Sequence, residues 1–264
     1  MVQTARGDVM VRRTGESGPP VLLLHPLALA GAFWDPLAAE LGQRATVLAW
    51  DARGHGSSPW DGTPFSIEDM ADDAAAVIEA TAGGRPVSVV GMSMGGCTAI
   101  ALAQRHPGLV DRLVLADTTA CYGPGRETTW EERAQNAQAK PRVEQVPFQV
   151  TRWFSDRFRE EHPAAVQRVV DIFTATDSAA HAAASRAMGG FDGTSGLGRI
   201  TADTLVLVGT EDYATPPAMA QVLADGIPQA RLEVLEDSRH LSLLERPDYW
   251  PSIARHLGLE GTAS

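Results

Sequence analysis

Three residues of this chain have types that could carry out a reaction together: Ser93 within Gly91-Met92-Ser93-Met94-Gly95-Gly96, Asp212 and His240. A serine hydroxyl is a weak nucleophile at neutral pH. An imidazole that takes its proton, held in the right tautomer by a carboxylate, turns it into one that can attack a carbonyl carbon. None of the three is diagnostic alone, since the chain has seven histidines and its 25 glycines place Gly-x-Ser-x-Gly spacings in loops by chance, and aspartates are common in turns. What decides the matter is where the surrounding elements put them.

The residues before the serine, Pro86-Val87-Ser88-Val89-Val90, form an apolar, β-branched run, and a helix-compatible run from Cys97 to Arg105 follows. Ser93 therefore falls where a strand turns sharply into a helix, the context that gives Gly-x-Ser-x-Gly its meaning. Glycines at 91 and 95 keep Cβ atoms out of that turn. The same turn leaves the Met94 N–H at a helix start, aimed where negative charge would gather on an attacked carbonyl oxygen. Val21-Leu22-Leu23-Leu24 reads as a central strand covered on both faces. It ends in His25-Pro26-Leu27-Ala28, where Leu27 is the expected second oxyanion donor, because Pro26 has no N–H. His25 is expected to orient that loop.

Asp212 follows the apolar strand Thr204 to Val208, and His240 follows the last strand, Arg231 to Leu235. The chain order serine, aspartate, histidine is the one α/β-hydrolases use. Asp117, after the strand Val110 to Ala116, is the rival acid, whereas Glu236 and Asp237 lie too near His240 along the chain. Asp8 to Arg13 is expected to be an edge strand and Ala45 to Trp50 a further one, with a short helix over Phe33 to Leu41 between them. The polar loop from Asp51 to Ser58 is expected to hydrogen-bond its own backbone. Ser66-Ile67-Glu68-Asp69 is a capping box with Asp in place of Glu or Gln, and it opens a helix through Ala82. A final helix is expected from about Pro247 to Leu257. The fold class is α/β: a mostly parallel central sheet flanked by helices.

Between Cys121 and about Arg199 the strand–helix alternation stops. Helix-forming segments follow one another instead: Trp130 to Ala139, Val146 to Phe154, Ala164 to Thr174 and Ser178 to Met188. Residues 1–120 and 200–264 are thus expected to form the core and residues 121–199 a helical cap, or lid, over the site. The cap holds ten basic and ten acidic residues, so the rest of the chain, with 12 basic and 23 acidic, carries the whole net charge of -11. An anionic substrate could approach under the cap without meeting the general repulsion of the core.

Length and composition set the outer bounds. The 264 residues, 44% of them hydrophobic, suffice for one α/β domain with an insertion. A net charge of -11 with no Lys/Arg cluster argues against a nucleic-acid partner. No uncharged apolar stretch is long enough to span a bilayer, so a soluble, cytoplasmic protein is expected, with no membrane partner. Cys97 and Cys121 form neither a disulfide framework nor a metal-binding spacing and are expected to be packing residues. Neither a metal nor another cofactor is expected. Oligomeric state is left open.

At these residues the sequence resembles the α/β-hydrolases and, within them, is most similar to the 3-oxoadipate enol-lactonases. The resemblance rests on Asp51-Ala52-Arg53-Gly54-His55-Gly56, the Ser93 motif, Gly209-Thr210-Glu211-Asp212 with Ala214-Thr215-Pro216-Pro217, and His240-Leu241-Ser242 followed by Glu245 and Pro247. In the cap, Asp117-Thr118-Thr119, Trp130-Glu131-Glu132-Arg133 and Trp153-Phe154 carry it further. The chain departs from the pattern in its oxyanion loop, His25-Pro26-Leu27-Ala28-Leu29, which is nearer to general esterases, and at Ala180-His181-Ala182-Ala183-Ala184-Ser185. Both stretches lie where substrate would be read. The resemblance implies a serine hydrolase whose partner is a small-molecule lactone or ester, first of all a carboxylated enol-lactone, opened through an acyl-enzyme on Ser93. Arg133 and Arg152, and after them Arg186, are expected to meet the substrate carboxylate, with Trp130 and Trp153 as pocket walls. A carboxylesterase or another lactonase, such as one for acyl-homoserine lactones, keeps the same triad. A non-hydrolytic ligand-binding or tailoring protein would keep only the fold.

Overall fold

The valine-rich run before Ser93 becomes the middle strand of a seven-stranded sheet in the computed structural model, which describes residues 1–260. The strands in chain order are β1 (Val2–Thr4), β2 (Gly7–Val9), β3 (Val11–Thr14), β4 (Pro20–Leu24), β5 (Thr46–Trp50), β6 (Val87–Met92), β7 (Val110–Ala116), β8 (Asp203–Gly209) and β9 (Ala230–Leu235). The sheet runs β3-β5-β4-β6-β7-β8-β9, with β3 antiparallel to β5 and every other pairing parallel. β1 and β2 form a separate antiparallel hairpin.

Alternation along the central strands sorts their side chains onto two faces. Leu22, Leu24, Val87, Val89, Leu113, Leu115, Val206 and Val208 join one core cluster, while Val21, Leu23, Val90, Met92, Val114, Ala116, Leu205 and Leu207 join the other. On the first face lie α2 (Ile67–Ala82), α3 (Met94–Arg105) and α9 (Pro217–Gly226). On the second lie α1 (Asp35–Leu41) and α11 (Trp250–His256), with the four-residue α10 (Ser242–Glu245) before the latter. α2 begins with the expected capping box: Ser66 Oγ accepts from the Asp69 N–H and Asp69 Oδ2 from the Ser66 N–H.

Between β7 and β8 come five helices: α4 (Arg126–Ala139), α5 (Arg142–Trp153), α6 (Asp156–Glu161), α7 (Pro163–Ala175) and α8 (Ser178–Gly190). They straddle the sheet's C-terminal edge. Trp130 of α4 and Met188 of α8 pack with the first cluster, whereas Trp153, Phe158 and Phe173 of α5 to α7 pack with the second. A single antiparallel bridge, Cys121 to Asp192, ties together the segments by which the chain leaves for these helices and returns.

Three expectations need correction. The strand expected over Asp8 to Arg13 is interrupted at Met10, whose N–H donates to Ser58 Oγ (2.8 Å), so β2 and β3 enter different sheets. The helix expected from Phe33 starts as a 3-10 turn over Gly31–Trp34, and only then does Pro36, with no N–H to satisfy, open α1. The last helix likewise begins as a 3-10 turn, Pro247–Tyr249. Four helices were legible between residues 121 and 199. The fifth, α6, has six residues and is nucleated by Ser155, whose Oγ accepts from the Phe158 N–H. α4 and α5 each start four residues earlier than expected, and α5 carries Pro147 inside it.

Candidate active site

Ser93 closes β6 with φ 54° and ψ -119°, a conformation a side-chain-bearing residue adopts only when its surroundings force it. The glycines explain how. A Cβ on Gly95 would stand 2.0 Å from the Leu24 carbonyl oxygen, and one on Gly91 would stand 2.4 Å from the Gly95 carbonyl oxygen. The serine backbone is pinned on both sides: its N–H donates to the Ala116 carbonyl (3.0 Å), and its own carbonyl accepts from Thr118 Oγ1 (2.7 Å) and the Cys97 N–H (3.0 Å). The side chain therefore projects from the C-terminal edge of the sheet, where ligands of open α/β sheets bind.

There it meets His240. Ser93 Oγ lies 2.9 Å from His240 Nε2, and His240 Nδ1 lies 2.8 Å from Asp212 Oδ2. The carboxylate accepts the Nδ1 proton, so the lone pair of Nε2 faces the hydroxyl. An imidazole so held can take the serine proton. Asp212 is further fixed by the N–H groups of Ala214 (2.7 Å) and Thr215 (3.0 Å) and by Thr215 Oγ1 (2.7 Å). Burial works to raise its pKa, but His240 and these bonds outweigh it and hold the carboxyl below the usual range.

Asp117, the rival acid, is turned elsewhere. Its Oδ1 accepts from the Gly209 N–H (3.0 Å) and its Oδ2 from the Ser242 N–H (3.1 Å) and Oγ (2.6 Å). Burial, with the charge of Asp212 behind it, pushes its carboxyl well above the usual range. Glu236 and Asp237 are exposed.

The second expected oxyanion donor sits across from the elbow. Neither the Leu27 nor the Met94 N–H is engaged by an acceptor among the described residues, and both residues flank a backbone forced to positive φ, Ala28 at 58° and Ser93 at 54°. The polar loop after β5 holds the Leu27 segment in place. His55 Nε2 accepts from the Ala28 N–H (3.3 Å), and its Nδ1–H donates to the Arg53 carbonyl (3.0 Å). His25 donates from Nδ1 to the Pro26 carbonyl (2.8 Å) and accepts the Ala52 N–H at Nε2 (2.9 Å). Burial lowers both imidazoles, His25 to about 4 and His55 to about 3, so both are neutral at pH 7. The structural role expected of this loop accordingly extends to the site itself.

Ser93, His240 and Leu27 open into a cavity of about 310 Å³ lined by residues of α4, α5, α7 and α8. Trp130 and Trp153 line it, each buried and edge-on to a second aromatic ring, Tyr122 and Phe173 respectively. Arg133 lies over the Trp130 ring (4.5 Å from Cζ to centroid) and Arg152 over Phe148 (5.4 Å). Both line the cavity, and neither has a carboxylate partner among the described residues. Burial, then the charge of Arg152, lowers the pKa of Arg133. Lys140 and Glu144 also reach the cavity. Arg186 does not: it lies on the far side of α8, paired with Glu131 at 2.7 Å. His181 and Ser185, in the stretch expected where substrate is read but not singled out within it, line the cavity, and so do Tyr122 and Phe173, which sequence reasoning missed. The one available signal, for the first pair, was the departure at Ala180 to Ser185.

A serine at a strand–helix elbow, facing an imidazole and a carboxylate from later strand ends of one parallel sheet, is the build of a hydrolase. The chain belongs to the alpha/beta hydrolase fold family, whose model matches residues 19–247. Among curated relatives it is 29% identical to 3-oxoadipate enol-lactonase 2 of Acinetobacter baylyi over 234 residues, 88% of this chain and 86% of the relative. Among solved structures it resembles the enol-lactonase from Burkholderia xenovorans LB400 (TM-score 0.89, 30% identity, 95% and 96% of the two chains). It is equally similar to a thermophilic esterase from Thermogutta terrifontis, solved with malate bound (TM-score 0.90, 27% identity, 97% of each chain). Among the described residues no helix is long and apolar enough to cross a membrane.

Proposed function

We propose that this protein opens a lactone or ester that carries a carboxylate, with an enol-lactone of the 3-oxoadipate type as the first candidate, through an acyl-enzyme on Ser93. The observation that carries this reading is a juxtaposition: the hydrogen-bonded series Asp212, His240, Ser93 opens into the same cavity as two guanidinium groups without carboxylate partners. Ser93 Oγ attacks the carbonyl carbon while His240 Nε2 takes its proton, and the N–H groups of Leu27 and Met94 receive the charge on the carbonyl oxygen. Collapse breaks the ring C–O bond and forms the acyl-enzyme. An enolate is a good leaving group, so the proton that His240 returns matters less here than in deacylation, where the imidazole activates water. Arg133 and Arg152 hold the carboxylate, which has acceptors only. Residues 121–199 act as a lid that keeps this exchange dry, and the free thiols of Cys97 and Cys121 suit a cytoplasmic setting.

A broad carboxylesterase is the second reading, favoured by the equal likeness to the malate-bound esterase and by an oxyanion loop that begins His25-Pro26. Steady-state hydrolysis of a carboxylated enol-lactone, an acyl-homoserine lactone and short p-nitrophenyl esters separates the two. A preference of at least 10³ in kcat/KM for the enol-lactone is expected, with Ser93→Ala losing about 10⁴ or more. It should weaken about tenfold or more in Arg133→Met and Arg152→Met. Turnover of the activated esters alone would leave the esterase. No turnover, with Ser93 inert to a fluorophosphonate, would exclude both in favour of a non-hydrolytic binder.

A further inference from the structure

His25 and His55 each bond both ring nitrogens to protein groups, which is how a buried structural histidine is satisfied. His181, on α8, does not. It is 5% exposed, and Nδ1 meets Arg142 Nη1, while Nε2 has no acceptor among the described residues and the ring lines the cavity together with Ser93 and His240.

The Arg142 contact fixes which nitrogen carries the proton. A guanidinium has only donors, so Nδ1 must accept, and the single proton of the neutral imidazole sits on Nε2. Arg142 is itself immobilised. Its Nε and Nη2 donate to the Phe173 carbonyl (3.2 and 2.6 Å), one of the last carbonyls of α7, and its Cζ lies 3.7 Å from the Phe173 ring centroid. Burial lowers Arg142 only to about 10, so it stays a cation at neutral pH. Burial first, then that cation, lowers His181 to about 3. The imidazole is therefore neutral across the working range, and a fixed positive charge polarises its Nε2–H.

We propose that His181 is a specificity-determining residue: its Nε2–H, held by Arg142, donates to an acceptor oxygen, a ketone or a second carbonyl, on the acyl part of the substrate. The corner between α7 and α8 supports the acyl side. Thr176 Oγ1 donates to the Ala28 carbonyl (2.8 Å), and Ala180 packs so closely on Gly54 that a Cβ there would stand 2.6 Å away, so the His181 turn is seated on the segment that carries Leu27. A fixed donor beside a cation rejects an ammonium in that position and leaves an apolar chain facing an unpaired N–H. The inference rests on the serine-hydrolase reading, and its test separates the two.

The probes are p-nitrophenyl 4-oxopentanoate and 5-oxohexanoate against p-nitrophenyl pentanoate and hexanoate, which share a leaving group and differ by one ketone. Each result is read as the oxo-to-alkyl ratio of kcat/KM, so that losses common to both esters cancel. Fluorophosphonate titration of Ser93 counts the folded sites. In the wild type at least one oxo ester is expected to be preferred about 10- to 100-fold, with the ratio falling to near one in His181→Leu. His181→Gln, whose amide can accept from Arg142 and still donate into the cavity, should restore part of it. A wild-type ratio of one, or a ratio that survives in His181→Leu, overturns the assignment. Should Ser93 be inert and no ester turn over, the hydrolase reading fails. Calorimetric binding of 4-oxopentanoate against pentanoate then decides the role of His181 by the same ratio and the same loss. If His181→Leu does not fold, the wild-type ratio and that of His181→Gln still decide it.

Discussion

Asp117 and Asp212 end the adjacent strands β7 and β8, and only Asp212 turns its carboxylate to His240. Asp117 instead ties the end of β8, at Gly209, to the start of α10, at Ser242, so it joins the segment that carries Asp212 to the one that carries His240. The two carboxyls are pushed in opposite directions, Asp212 down by its partners and Asp117 up by burial beside it. Asp212→Asn should lower kcat about 10³- to 10⁴-fold with little change in stability, because the amide keeps the shape and loses the imidazole's tautomer control. Asp117→Asn should lower stability by about 1–3 kcal/mol, since its NH₂ would face either the Gly209 N–H or the Ser242 N–H, and reduce kcat less than tenfold. Urea denaturation and p-nitrophenyl acetate turnover measure both. The opposite pattern would make Asp117 the working acid.

The residues that could be read in advance are those whose role is set locally. Val21–Leu24, Val87–Val90 and Thr204–Val208 are buried on both faces of the sheet and so form runs that are apolar but for Ser88 and Thr204, and the glycines around Ser93 mark its turn directly. The break at Met10 was hidden because its cause, Ser58 Oγ, lies 48 residues away. α6 is too short to show a period. Arg186 was misplaced for a geometric reason: His181 and Ser185, four apart, share the cavity face of α8, and residue 186 stands about 100° around the helix from 185. His181 lay in a stretch expected to face substrate, but among its alanines nothing marked the histidine itself as the reading group. Its chemistry depends on Arg142, which reaches it from another helix.

Acid should unfold this protein earlier than its net charge implies. His25, His55 and His181 fall from the ordinary 6.5 to about 4, 3 and 3 by burial. Between those values the unfolded chain binds more protons than the folded one, so this stability is fully present above pH 6.5 and lost as pH falls towards 4. Asp117 and Glu245, raised by burial, act in the opposite sense. The net slope is one to three protons, roughly 1.4–4 kcal/mol per pH unit. Urea midpoints by circular dichroism at pH 7, 6 and 5 should fall accordingly, and a flat profile would contradict the neutral histidines.

Glu245 stitches the His240 segment to the corner between α5 and α6. Its Oε1 accepts from the Arg239 N–H (2.7 Å) and its Oε2 from Ser155 Oγ and the Ser155 N–H (2.9 Å). On the two sides of His240, Arg239 Nη1 donates to the Thr151 and Phe154 carbonyls and the Leu241 N–H donates to the Trp153 carbonyl (3.0 Å). The imidazole thus hangs from a segment bonded to the corner between α5 and α6, beside the cavity wall at Trp153. Removing a negative charge from a chain of net charge -11 relieves general self-repulsion, so Glu245→Gln would be stabilising if charge alone mattered. The local chemistry argues the other way. An amide offers one accepting atom where the carboxylate offered two, and its NH₂ must face either the Arg239 N–H or the Ser155 donors in a half-buried site. An unsatisfied donor pair of that kind costs about 1–3 kcal/mol. Glu245→Gln is expected to lose that much in urea denaturation, and trypsin should cut faster after Arg152, Arg157 or Arg159 around the loosened corner. A variant as stable as the wild type, with unchanged cleavage, would mean that this corner is held by its apolar contacts alone.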